Sequence, residues 1–435
     1  MKYAESIGDI GNAFEPRPLA IDELDRFFCG DTMENRTGNK YNSPILDILE
    51  ACKVPSNSNS FLLLGHRGCG KSTELNRMSN ELMQDGYHVV TLHCARDLDM
   101  MNPVYSDLLI LMGEALLEIA EKTDTLIDLA MQERFVSFWS MEEEETGYVN
   151  KTSDLVTEAK AKVGTPSFLS GILDVFASVR TDLRYSTETR TKYRKKVTHR
   201  TGEWLFMLNK IADTIAHQLE DKQPILIFED LDKINPEDAW NIFSSYAATL
   251  TGVSFPVVYT FPIALAYDPR FTSLKSYYEP KILPMIKLER MDGSTYQDGI
   301  DAITNIIRKR ADLTIFDERV IETLIKKTGG SLRDLFSCII AAAVMALRRK
   351  STTISMEDIS VALTGLKSSL TRLIERKHYD FLADIGNGNR DSIEDKPMLL
   401  EMLQANAVLE YNTDRWHQVH PLVADFLRDK GLMER

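Results

Sequence analysis

Gly65-His66-Arg67-Gly68-Cys69-Gly70-Lys71-Ser72 fits the pattern G-x-x-x-x-G-K-[ST] in full. Glycines at the ends of such a loop let the backbone fold back with its N–H groups pointing inward, towards an anion. Phe61-Leu62-Leu63-Leu64 precedes it and reads as a buried parallel strand. Leu75, Met78 and Leu82 follow at helical spacing, so residues 72–84 read as a helix. A strand, a glycine loop and a helix in that order put the positive end of the helix dipole against a phosphate. On this reading Gly65, His66, Arg67, Gly68, Cys69, Gly70, Lys71, Ser72 and Thr73 wrap the triphosphate of ATP. Lys71 reaches the β and γ phosphates, and Ser72 gives its hydroxyl to Mg²⁺. In an empty loop the Lys71 ammonium is expected to be exposed.

Working outward, a second strand at residues 87–92 completes a βαβ unit. Residues 103–222 hold helical patterns and few strand signals, and read as a helical insertion. Strands resume at residues 224–228, 253–261 and 281–288. The expected class is α/β, a three-layer parallel-sheet core of the P-loop NTPase type. Its expected units are an arm over residues 1–20, with Pro16 and Pro18, and a core over 21–290. Helices alone follow over 291–366, and a smaller unit over 367–435. Ser43-Pro44 opens a helix before the polar turn Ser56-Asn57-Ser58-Asn59-Ser60.

Ile225-Leu226-Ile227-Phe228-Glu229-Asp230-Leu231-Asp232-Lys233 is an apolar strand that runs into carboxylates. A phosphate loop that works with Mg²⁺ needs an acid at a neighbouring strand tip, and a second acid can polarise water. Glu229 takes the magnesium-side position and Asp230 the position of the base. The usual first acid is Asp, so with Glu first either carboxylate fits the role of base. Asp232 reads as a cap for the next helix.

With these residues the chain resembles the STAND and KAP branch of the AAA+-like P-loop ATPases. KAP-type proteins carry Asp-Asp-Leu-Asp-Arg where this chain has Glu229–Lys233, and Pro236 matches a proline that often follows. The helical patterns at residues 296–312, 317–328, 331–349 and 355–363 are similar to the helical lid of that group. Gly329-Gly330-Ser331-Leu332-Arg333-Asp334 resembles its sensor 2 motif, with Arg333 aimed at the γ-phosphate, and Thr260 falls at sensor 1. Residues 367–435 resemble a winged helix. Its helices fall at 377–385 and 395–404, and its wing strands at 407–412 and 415–420, around Thr413-Asp414. The resemblance implies an ATP-hydrolysing switch in signalling, host defence or nucleic-acid transactions, forming homo-oligomers and acting on a protein partner. Two alternatives stand beside it: a DNA-loading ATPase of initiator or transposition type, and a nucleotide-stabilised interaction protein that hydrolyses little.

Composition narrows the partners. The 435 residues carry a net charge of −14, so the chain gains nothing from non-specific attraction to nucleic acid. Residues 367–435 hold ten Lys/Arg against twelve Asp/Glu, which favours protein contact over DNA for the winged helix. The basic stretch at residues 180–200 reads as a solvated helix face, a nucleic-acid contact or a donor of arginine to a neighbour's ATP. Arg270 and Arg290 are the other candidates to complete a neighbour's site. An acidic run, Glu142-Glu143-Glu144-Glu145, reads as a solvated loop. No apolar run approaches the roughly 20 residues of a membrane span, and the start Met1-Lys2-Tyr3-Ala4-Glu5 lacks the layout of a signal peptide, so a cytoplasmic location is expected. The five cysteines are scattered and read as reduced thiols, with Cys69 inside the phosphate loop. His417 and His420 lack partners at ligand spacing.

Overall fold

The apolar run at residues 61–64 lies inside a five-stranded parallel sheet in a computed structural model of the chain. The structure describes residues 1–30, 32–39, 41–54, 59–140, 151–390, 393–411 and 415–433. The acidic run Glu142–Glu145, the turn residues Ser56, Asn57 and Ser58, Asn412 at the end of the first expected wing strand, and Thr413-Asp414 lie outside the described residues. The strands are β1 (Ser60–Gly65), β2 (Val89–His93), β3 (Ile225–Glu229), β4 (Val257–Pro262) and β5 (Glu279–Ile282). Their order is β2-β3-β4-β1-β5, so β4 is inserted between the loop-bearing β1 and the acid-tipped β3.

Alternation along the strands divides the sheet into two faces. Leu62, Leu64, Leu226, Phe228, Tyr259 and Phe261 pack against the helices Tyr105–Lys122, Thr201–Gln218 and Pro236–Phe243. Phe61, Leu63, Ile225, Ile227 and Val258 pack against Pro44–Lys53 and Lys71–Gln84. A sheet covered on both faces needs continuous apolar strands, which is why β1, β3 and β4 are buried throughout. The last strand is shorter than the expected 281–288. Leu283 N still donates to Leu64 O at 2.9 Å, but Pro284 has no N–H and the ladder ends there.

Between β2 and β3 the chain is helical, and Trp204 is its anchor, fully buried with Nε1 donating to Leu109 O at 2.9 Å. The basic stretch falls on the helices Phe168–Tyr185 and Thr187–His199 and ends at Arg200; Lys192 and Lys195 are exposed, as in the first of its three readings, but three of its arginines pair within the chain. Arg180 pairs with Glu114 at 3.2 Å, Arg190 with Asp99 at 2.6 Å and Arg194 with Asp107 at 2.6 Å. Arg190 and Asp107 are buried. These arginines clamp the helices to the segment after β2, which the one-dimensional charge pattern conceals because every partner acid lies dozens of residues away.

Beyond the sheet come the helices Gln297–Arg308, Val320–Thr328, Leu332–Arg348 and Met356–Thr371, packed around Ile303, Ile307, Leu324, Ile325, Ile339 and Ala342. The N-terminus joins this cluster. Ala4 bridges Ala311, and Ile7, Ile10 and Phe14 are buried there. The C-terminal residues form Tyr379–Gly386, Lys396–Gln404, the antiparallel strands β6 (Val408–Tyr411) and β7 (Trp416–Val419), and a final helix, Pro421–Asp429, which the sequence reading missed. Among the described residues, no helix is long and apolar enough to cross a membrane.

Candidate nucleotide-binding site

The phosphate loop leaves β1 at Gly65 and enters the helix at Lys71. Gly68 and Gly70 adopt φ of 88° and 100°, left-handed values that suit glycine. Gly68 also meets the helical unit at close range. A Cβ there would stand 2.7 Å from Ser331 Oγ and 2.9 Å from Arg333 Cβ, and Leu332 N donates to Gly68 O at 3.0 Å. The helix Lys71–Gln84 starts without a side-chain cap, so its first N–H groups are available to an anion. Ser72 and Thr73 line the same cavity, and Thr73 Oγ1 accepts from Leu19 N at 3.2 Å.

Lys71 is not exposed. Its side chain is 6% accessible, and it lies 2.9 Å from Asp232 Oδ2. It also donates to Gly65 O at 2.7 Å and His66 O at 3.0 Å. Burial disfavours the ammonium, but Asp232 outweighs it and the Lys71 pKa is raised. Asp232 therefore caps no helix. Asn235 fills that place, accepting from Glu237 N at 2.9 Å.

Of the remaining loop residues, His66 and Arg67 line the cavity and Cys69 does not. His66 is fully buried, and its Nε2 accepts from Glu410 N at 2.8 Å. Burial pushes its pKa down to about 3, so the ring is neutral. Cys69 is buried, and Arg67 is exposed with Nη2 3.5 Å from Lys233 O.

The three carboxylates near the β3 tip have different surroundings. Glu229 is 3% exposed, and its Oε1 has no hydrogen-bond partner. Oε2 lies 3.6 Å from His93 Nδ1, and that contact with Glu229 raises the His93 pKa against partial burial. Asp230 sits at φ 73°, a left-handed value that Asp tolerates better than most residues. This turn sends its carboxylate to Lys233 Nζ and to Ala95 N, the latter at 3.3 Å. Thr260, buried on β4, donates to Phe228 O at 3.2 Å and accepts from Leu231 N at 3.0 Å. Both its hydroxyl contacts hold the β3 tip. Arg333 is exposed at the start of its helix and lines the cavity beside Gly68.

Sequence reasoning missed the other half of the site. The cavity, of about 290 Å³, runs from the loop to an apolar end walled by Pro16, Leu19, Phe27, Phe28, Ile306 and Phe336. Arg36, fully buried, donates to Cys69 O and Pro284 O, both at 2.6 Å. Arg310 donates to Ala13 O at 3.0 Å and covers the Phe336 ring at 4.4 Å, and burial pushes its pKa down to about 10. Among the described residues neither arginine forms an ion pair with a carboxylate. The only signal for this half is the pairing of Pro16 and Pro18 with Phe27-Phe28, which is too short to predict an element.

The residues present fit Mg·ATP. A buried carboxylate oxygen without a partner, two buried guanidinium groups with no carboxylate partner among the described residues and a left-handed glycine loop all suit a charged ligand with its cation. The sheet order and the loop decide the fold. This is a P-loop NTPase fold. No family model and no curated protein matches the chain. Among solved structures, the chain is similar to the Walker-type ATPase PABY2304 of Pyrococcus abyssi, at 15% identity and TM-score 0.47, covering 96% of this chain and 99% of that one. It is also similar to Cdc6p from Pyrobaculum aerophilum, at 12% identity and TM-score 0.38, covering 97% and 98%. The ORC2 protein of Aeropyrum pernix in its ADPNP–ADP complexes follows at 10% identity and TM-score 0.40, covering 89% and 93%. With these scores below 0.5, the fold assignment rests on the strand order and the phosphate loop.

Proposed function

We propose that the chain binds Mg·ATP between its sheet and its helical unit, hydrolyses it slowly, and works as a molecular switch of STAND/KAP type. The observation that carries this reading is the convergence of Lys71, Ser72 and Glu229 on one cavity with an apolar far end. The loop backbone and Lys71 hold the phosphates. Ser72 and Glu229 hold Mg²⁺, which supplies charge neutralisation at the phosphoryl oxygens. Pro16, Phe27, Phe28, Ile306 and Phe336 enclose the base. Asp230 orients water, Thr260 holds the strand tip that carries both acids, and Arg333 faces the terminal phosphate.

Residues 21–290, 291–366 and 367–435 are the bodies whose angles change with the nucleotide, and the arm over 1–20 travels with the helices it packs on. The output passes to a protein partner or to a second copy of the chain, in the cytoplasm. The internal ion pairs of Arg180, Arg190 and Arg194 remove much of the basic surface that a DNA-loading role would use. Calorimetry with Mg·ATP and phosphate release under single-turnover conditions test the reading. Absence of ATP binding by folded protein would end it.

A second reading, nucleotide binding with little hydrolysis, is favoured by two contacts of one carboxylate. Lys233 and Ala95 N engage the Asp230 carboxylate, so it must be freed before it can take a proton. Stoichiometric retention of unhydrolysed ATP would select it.

A further inference from the structure

An ammonium group has three protons to donate. Lys71 directs them at Gly65 O (2.7 Å), His66 O (3.0 Å) and Asp232 Oδ2 (2.9 Å). Its hydrogen-bonding capacity is therefore filled by groups of the chain itself. Two of those acceptors are neutral carbonyls of the loop itself, and only one carries charge.

The carboxylate is placed with care by the fold. Asp232 lies in the short turn Leu231–Lys233, whose start is held by Leu231 N on Thr260 Oγ1 and whose end is held by Lys233 N on Asp230 O at 3.0 Å. Its side chain is 8% accessible and lines the cavity with Lys71. Breaking a buried pair by removing one partner leaves an uncompensated charge, whereas exchanging one anion for another does not.

We infer that Asp232 is a displaceable counter-ion that occupies the phosphate position on Lys71 and sets the affinity and ligand threshold of the site. This rests on the nucleotide reading and names a residue that regulates it. A phosphoryl group entering the loop takes over the Lys71 contact, and Asp232 turns out towards Arg67 and Lys233, the two cations beside it. Only a ligand that delivers a phosphoryl to Lys71 makes this exchange. A nucleoside di- or triphosphate does so, and a nucleoside or monophosphate does not reach. The latch therefore discriminates by phosphate number.

The test is calorimetric titration of the full chain, as wild type and as Asp232→Asn, with ATP and AMP, beside thermal unfolding of the empty proteins. Asp232→Asn should bind ATP more tightly by roughly tenfold, the factor that corresponds to 1.4 kcal/mol. The empty variant should melt lower, and its ATP-induced rise in melting temperature should be larger than that of wild type. A merely structural residue would not tighten binding when removed. Equal or weaker ATP affinity in Asp232→Asn would overturn the inference. If that variant does not fold, the double variant Lys71→Met/Asp232→Asn decides. The double should fold with stability near wild type if the two residues answer each other, and failure to recover stability would refute the pairing. Wild type that binds ATP while Asp232→Asn does so no better removes only the latch. Folded wild type that does not bind ATP removes the nucleotide reading and the latch with it.

Discussion

His66 of the phosphate loop accepts a hydrogen bond from the backbone N–H of Glu410, at 2.8 Å. Glu410 belongs to β6, and the same strand gives Tyr411, whose hydroxyl donates to Gly329 O at 2.7 Å, and bridges Met285 beyond the sheet edge. One short strand of the C-terminal unit thus touches the phosphate loop, the sheet and the turn before Ser331. The glutamate side chain points the other way, accepting from Tyr267 OH at 2.7 Å, and that hydroxyl lies 2.9 Å from His417 Nε2.

His66→Ala removes the side-chain acceptor of the Glu410 N–H and leaves a buried donor unpaired among the described residues. It is expected to cost about 1–3 kcal/mol of stability. Chemical denaturation followed by far-UV circular dichroism measures it, and a change under a few tenths of a kcal/mol would show that a water or a backbone shift replaces the bond.

Acid should weaken the C-terminal unit and its contact with the phosphate loop. Burial pushes the pKa of His66 down to about 3 and those of His417 and His420 down to about 4, all below the ordinary 6.5. In the unfolded chain these rings take up protons that the folded chain refuses, so stability falls as pH drops from about 6.5 towards 4. Glu410 works in the opposite sense. Burial pushes it up to about 7, so the folded chain binds its proton first, and its contribution is lost as pH rises from 4.5 through 7. Glu114, which burial also pushes up to about 7, acts in the same sense as Glu410; three histidines outweigh these two glutamates between pH 4.5 and 6, and the net slope there should be positive. Melting temperature measured across that window checks the sign, and a flat or falling profile would contradict it.

Lys71→Ala should abolish ATP binding, and it should also destabilise the empty protein. Asp232 would be left buried without its partner, a loss of about 3–5 kcal/mol for a removed half of a buried pair. Calorimetry and thermal unfolding report the two effects separately. Unchanged ATP affinity would defeat the proposed site.

Asp230→Asn and Glu229→Gln should part company. Loss of a water-orienting carboxylate lowers turnover by roughly 10² or more while ATP still binds. Loss of the Glu229 charge should instead raise the Mg²⁺ concentration needed for binding. Single-turnover rates over a Mg²⁺ series distinguish them, and the reverse pattern would exchange the two roles.

Arg270 is half-exposed, bonded to Asp268 at 2.7 Å and to Glu237 at 3.3 Å, and stacked over Trp240 at 4.7 Å. If it completes a neighbour's site, Arg270→Ala should cut hydrolysis and spare ATP affinity, by up to roughly 10³ for an arginine of that kind. Mixing Arg270→Ala with Lys71→Ala should then restore turnover, since each chain supplies what the other lacks. A strictly monomeric wild type with ATP bound, by light scattering, would remove this role.

What the sequence determined by itself was local and periodic. A contiguous octapeptide marks the phosphate loop because the loop, its strand and its helix are neighbours along the chain. Glu229 and Asp230 were legible because an apolar strand ending in acids is itself a short pattern. The helices near residues 297–308 and 332–348 followed from apolar spacing, and the head of Pro44–Lys53 from the cap signal Ser43-Pro44. Tertiary structure alone decided the partners. Asp232 sits on Lys71 across 161 positions of chain, Arg36 on the Cys69 carbonyl from the N-terminal side, and Glu410 on His66 from the far end. Arg180, Arg190 and Arg194 of the basic stretch found Glu114, Asp99 and Asp107 for the same reason, while Lys192 and Lys195 stay exposed. Electrostatic and hydrogen-bond partners are chosen by distance in space, and a charge in a sequence carries its sign but not the group it will face once the helices have packed.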